Sequence, residues 1–289
     1  DQGIRIFVEQ LGESTLRAAQ VMPGDLYRGE IIGKDRFTGI DKTIKLFSSS
    51  AVWDKMAANN HYDLESMAPL DKLLDLIRRR ESPEAQAELS AVLDMAAWGR
   101  FSAFEALAHT KHFSKSHNWR LYYDPWRGKI APIVWDPAGL MWRPKTGKRT
   151  ISSVINSKLH QALFLNGDFL RARSAALTNF FNRKEDQKFL VGVDETVERM
   201  TREIQTDPFL RPGQPDTVVR AMRDLQSRIQ EVFSDVRKEW ADEPNANTRY
   251  RYENDVLELA IGGRQMSCWL RFHFTGVSDS QLQIGRAHV

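Results

Sequence analysis

Asn118 and Asp136 bracket the stretch in which chemistry is easiest to read. Residues 119–123 (WRLYY) and 129–135 (KIAPIVW) are rich in β-branched and aromatic side chains, as strands are. Asp124-Pro125-Trp126-Arg127-Gly128 between them has the composition of a tight reversal. Strands of this length run about 17–23 Å at ~3.3 Å per residue. The chain goes out and comes back, so an amide ends beside a carboxylate. That pairing suits a hard divalent cation that also grips phosphate oxygens. The same two residue types also serve as turn and cap formers, and on their own they leave both readings open.

Three polar side chains precede the first strand: His112, Ser114 and His117. A histidine there is a candidate proton acceptor. His109 and His112 stand three apart on what reads as a helix, and with His117 they raise the question of zinc. Zinc asks for three or four closely placed ligands, and no cysteine is near, so solvated or core-edge histidines are the simpler reading. Trp119, Trp126 and Trp135 suit a sugar-stacking face, or, more simply, a core beside the hairpin. No Gly-x-Ser-x-Gly elbow of a serine hydrolase occurs. Arg28, Lys34, Lys42 and Lys45 are the cations available earlier in the chain to meet a phosphate; most read equally as solvated surface charge.

The elements that must position these groups can be read by period. Residues 4–9 and 26–32 look like strands, 42–47 like a half-exposed strand, and 14–21 like a short helix stopped by Pro23-Gly24. Leu70, Leu73, Leu74 and Ile77 fall at helical spacing. Arg78–Arg80 close that helix with charge that favours its dipole rather than marking a nucleic-acid surface. Ser82-Pro83 caps a second helix through Trp98, and Gly99 separates it from a third over 101–112. Pro132 points to an edge strand or a bulge. Helices follow at about 152–165, 167–182, 185–205 and 214–240. The fold class is α+β.

Composition excludes some partners. The chain has 289 residues, 41 Lys+Arg against 38 Asp+Glu, and a net charge of +3, which gives no strong general attraction to nucleic acid or anionic membrane. No apolar run is long enough to span a bilayer within these boundaries. Cys268 is the only cysteine, so no internal disulfide forms. This leaves the compartment open.

Three segments resemble the CotH family of atypical, kinase-like proteins named for a spore-coat member: LYRGEI (26–31), SHNWRLYYDPWRGKIAPIVWD (116–136) and LNGDFLRARSAALTNFF (165–181). Their order and spacing match over roughly residues 1–240. The resemblance implies a two-lobed kinase-like domain with partial N-lobe strands, a central β-hairpin and a helical C-lobe. It also implies ATP, Mg or Mn, and phosphorylation of protein Ser/Thr, with Asn118 and Asp136 as metal ligands. Arg28, where the family often has a lysine, is then the best candidate for the phosphate, and Glu9 resembles a family glutamate without an assigned role. Protein kinases hold their metal ions in this way, with a catalytic-loop Asn and an Asp after a short hairpin.

Two departures stand out. A kinase places its catalytic Asp five residues before the metal-binding Asn; here that residue is Phe113, and no Asp or Glu occurs between Ala106 and Leu121. Loss of a positioned base costs about 10²–10⁴ in rate. His112, Ser114 and His117 are the nearby substitutes. The family's second acidic residue, two after the Trp-Asp aspartate, is Ala138 here. The alternative function is therefore a catalytically weakened pseudokinase, an assembly module whose partner is a coat or surface protein. On the resemblance alone, its location would be the spore, the cell surface or another extracytoplasmic site.

The organisation expected is a kinase-like domain over 1–241, a linker over 242–248, and the start of a β-rich domain over 249–283. In that last part, strands at 254–261 and 264–274 would turn at Gly262-Gly263. Asp1 is not a methionine, and Ile284–Val289 (IGRAHV) resembles translated adapter sequence. The chain thus reads as a fragment with a non-native tail, against the alternative of a genuine frayed C-terminus.

Overall fold

The computed structural model describes residues 11–31, 45–58, 66–140, 154–241, 246–253 and 256–263, the last two segments as backbone. The architecture is α+β and mostly helical. The strands proposed at 4–9 and 264–274, Glu9, Lys34, Lys42, Cys268 and the tail at 284–289 lie outside the described residues.

The short helix α1 (Glu13–Ala18) leads into β1 (Asp25–Gly29). With β2 (Trp53–Ala57), β3 (Trp119–Asp124) and β4 (Lys129–Pro132) it forms an antiparallel sheet in the order β2-β1-β3-β4. Side chains alternate across a strand. Tyr27, Trp119, Leu121 and Ile130 are buried in the main core cluster. Arg28, Arg120 and Tyr122 therefore stand on the sheet's other face, where the register sets Arg28 opposite Arg120 on one side and opposite Asp54 on the other. Gly128, at φ +60°, makes the reversal between β3 and β4, and Pro132 ends an edge strand, where its missing N–H does no harm.

Helices α2 (Ala68–Arg78), α3 (Pro83–Val92), α4 (Met95–Leu107), α5 (Lys158–Phe164) and α6 (Gly167–Asn182) close over the inner face of the sheet. Trp98, Phe101, Phe113 and Trp119 form one aromatic knot, with ring centroids 4.7–6.3 Å apart. Cutting any one of these rings back to alanine removes about 3–5 kcal/mol. A second cluster joins α4 and α6 to α8 (Gln214–Ala241) through Leu107, Leu177, Phe181, Ile229 and Phe233, and α7 (Glu185–Gln205) packs along α8. No helix among the described residues is long and apolar enough to cross a membrane.

Several sequence expectations need correction. Leu46–Ser48 is a 3-10 turn rather than the end of a strand. The break between the second and third helices falls at Leu93-Asp94, not at Gly99. Asp94 accepts a hydrogen bond from the Ala97 N–H (3.0 Å) and so caps a new helix. Its own N–H donates to Ile130 O (3.0 Å), fastening the break to β4. Gly99 instead lies inside α4, where a Cβ would come within 2.5 Å of Ala172 backbone; it is small because α6 passes close. The third helix ends at Leu107, short of His109 and His112, because His109 turns to φ +52°. The fifth begins at Lys158, after Ser157 caps it. Finally, β5 (Ala246–Glu253) pairs with β6 (Val256–Gly263), so the hairpin sits one strand earlier than expected. Residues 246–248, read as linker, are strand. Gly262 and Gly263 end β6 opposite Asn247 and Ala246 rather than forming the turn.

Candidate functional site

The loop from Ala108 to Asn118 is the scaffold of the site. The Leu140 N–H donates to Ala108 O (2.9 Å), and the Thr110 hydroxyl donates to Pro137 O. These bonds clamp the residues after α4 to those after β4. Further along, the Ile31 N–H donates to Ser116 O (2.8 Å) and the Leu46 N–H to Lys115 O (3.2 Å). Phe113 anchors the middle of the loop, fully buried, its ring 4.7 Å from Phe101. The backbone here is unusual. Asn118 (φ +68°) and Asp136 (φ +41°) are left-handed, which their short polar side chains tolerate. Ala138 (φ +41°) and Leu140 (φ +61°) are left-handed without such help, at about 1–3 kcal/mol each, so the surroundings must hold them.

The hairpin does return Asp136 to Asn118. The buried Asn118 amide lies with Nδ2 3.4 Å from Asp136 O and 2.7 Å from His112 Nδ1. His112 Nδ1 is also 2.7 Å from Asp136 O and 3.6 Å from Asp136 Oδ2. A single ring proton selects between two arrangements: a bare Nδ1 accepts from the amide, and a protonated one donates to the carbonyl. In either, the contacts of Asn118 run through its nitrogen, and the Asp136 carboxylate is 59% exposed at the mouth. His117 lies alongside, its ring edge-on to His112 at 4.7 Å, with Nδ1 3.0 Å from Ser114 Oγ. Burial, and then the neighbouring His112, hold His117 below the ordinary histidine range. His117 is therefore neutral near pH 7, as a proton acceptor must be.

Arg28, proposed for the phosphate, is engaged elsewhere: its Nε donates to Asp54 Oδ2 at 2.8 Å. Lys45 is exposed at the start of the 3-10 turn. Two residues at this site escaped sequence reasoning. The Asn118 N–H donates to Glu30 Oε2 (3.4 Å), and Arg120 Nη1 is 3.8 Å from the same oxygen. Burial raises the Glu30 carboxyl above its usual range, against the pull of the Asn118 N–H and Arg120. Strand alternation puts Arg120 on the face of the sheet that carries Arg28, but only the pairing of β1 with β3 brings it and Glu30 to the site.

The atoms that meet are the Asn118 amide nitrogen and the Asp136 backbone oxygen, so a cation here would need the amide turned to present its oxygen beside the exposed Asp136 carboxylate. One carboxylate and one amide leave most positions to water and phosphate oxygens, the pattern magnesium prefers. Among the described residues no three His, Cys, Asp or Glu side chains gather to hold a metal. Trp119, Trp126 and Trp135 do not share a stacking face. Trp119 is in the core, Trp126 is exposed in the turn, and Trp135 lies over the Arg120 guanidinium. No protein-family model matches the chain, and no curated protein matches it.

Proposed function

We propose that this chain is a CotH-like, kinase-like domain that binds ATP with Mg or Mn and phosphorylates protein Ser/Thr hydroxyls. The observation that carries the reading is the meeting of Asn118 and Asp136 at one end of the hairpin, where the resemblance requires it. Asp136 and Asn118 would hold the cation, which supplies charge neutralisation to the phosphates. His112, fixed through Nδ1 against Asp136 O, has its other ring nitrogen to take the proton from a substrate hydroxyl. His117 and Ser114 brace its flank. The two-lobed arrangement belongs to the same proposal; among the described residues β1 and β2 share one sheet with the hairpin.

A second reading rests on Phe113. The position of a kinase's catalytic Asp is filled by a core ring with no access to substrate. That favours a weakened pseudokinase that binds nucleotide and serves as an assembly module for coat or surface proteins.

The melting temperature of the full chain should rise with ATP plus Mg²⁺ or Mn²⁺, and Asp136→Ala should abolish the rise. No rise in the parent would remove both readings. Labelled-phosphate transfer to the chain itself or to a generic protein acceptor, lost in Asp136→Ala and in His112→Gln, would identify a kinase. Binding without transfer would identify the pseudokinase.

A further inference from the structure

Arg28, the candidate for the phosphate, is committed to Asp54. We infer that Arg120 serves instead: the guanidinium between Glu30 and the Trp135 ring is an anion subsite that takes phosphate oxygens beside the Asn118–Asp136 pair. The identity of the anion as a nucleotide phosphate rests on the proposed function; the subsite itself does not.

The side chain of Arg120 is 7% exposed, and its Nη1 donates to Trp119 O at 2.9 Å. Its Nε is buried and has no hydrogen-bond partner. Glu30 Oε2, at 3.8 Å, is too far for a hydrogen bond and leaves the ion pair loose. An unsatisfied donor on a buried cation is unfavourable, and an arriving oxyanion relieves it. Arg28 stands directly opposite Arg120 in the sheet, but its charge is met by Asp54 at 2.8 Å, whereas Arg120 has only the looser Glu30. The Trp135 ring, 4.9 Å from the guanidinium carbon, holds the fork on one side by a cation–π contact.

The location is also right. Arg120 is two residues beyond Asn118, at most about 7 Å along the chain. Trp135 directly precedes Asp136, and Glu30 accepts from the Asn118 N–H. An oligophosphate therefore reaches the subsite and the cation together. The guanidinium fork, unlike a lysine, can donate two parallel hydrogen bonds to one phosphate.

The test uses the full chain, with melting temperature titrated against two probes: ATP with Mg²⁺, and inorganic tripolyphosphate without metal. Arg120→Met is the main variant; removing one partner of the pair with Glu30 is destabilising, so its melting temperature without ligand is read first. Arg120→Lys is the second, keeping the charge and losing the fork. The inference expects both probes to stabilise the parent and Arg120→Met to weaken each response tenfold or more, while Arg28→Met weakens it less. It also expects Arg120→Lys to fall between, and this comparison decides the matter if Arg120→Met fails to fold. Undiminished responses in both Arg120 variants, or a larger loss in Arg28→Met, overturn it while leaving the nucleotide reading intact. A parent that answers tripolyphosphate but not Mg-ATP, with that answer lost in Arg120→Met, keeps the subsite and removes the nucleotide reading. A parent that answers neither removes both.

Discussion

Phe113 shows how far one residue shapes the chemistry open to this site. Its ring is a keystone between Phe101 and Trp119, so restoring an acid there does not restore a base. Phe113→Asp should lose about 3–5 kcal/mol in a denaturant titration, from the lost ring and the buried carboxyl, and should gain no phosphate transfer. A variant that kept its stability would place residue 113 at the surface. His117 gives a pH signature. Its folded pKa is lowered, so below the ordinary value near 6.5 the unfolded chain binds more protons than the folded one, and stability falls as pH drops. His117→Gln should flatten the loss of melting temperature between about pH 7 and 5. An unchanged slope would mean the ring is as solvated folded as unfolded. Burial acts with the opposite sign on Glu30, whose raised pKa erodes stability as pH rises above the usual carboxylate range. Of these residues, Asn118, Asp136 and the histidines were legible because the turn composition fixes a return path. Glu30 and Arg120 were not, because what marks them is a cross-strand register between segments far apart in sequence, and no local pattern carries it.

At the scale of elements, the helices after residue 157 were legible from their 3.6-residue period, and the hairpin from its turn. The errors fell where a residue answers to a distant neighbour. Gly99 reads as a breaker from sequence, yet it is the point where α4 lets the α6 backbone approach. Gly99→Ala should therefore destabilise, by about 1–3 kcal/mol in chemical denaturation, through overpacking rather than gain the usual benefit of alanine in a helix. A neutral or stabilising effect would show that the two helices can part without loss. Asp94 looked like an ordinary helix residue. In the structure it caps α4 and pairs with Arg127 in the hairpin turn at 2.9 Å. This links the hairpin that carries the site to the helix that leads into its loop. The displaced hairpin at β5 and β6 is of the same kind. A polar, Asn-containing stretch reads as linker until its backbone finds a partner strand.

At the scale of the whole molecule, an inner sheet face and helices form the core, and an outer sheet face carries Asp54, Arg28, Arg120 and Glu30 in a charged row ending at Asn118 and Asp136. The division of labour follows from strand alternation: the residues that pack Trp119 inward turn Arg120 outward. The proposed activity depends on that end of the sheet holding a cation and an oligophosphate at once. The most direct test is calorimetric titration of the full chain and of Asp136→Ala with ATP, each with and without Mg²⁺. Saturable, Mg²⁺-dependent binding by the parent that disappears in a folded Asp136→Ala is the predicted result. No binding by the parent, or equal binding by both proteins, would contradict it.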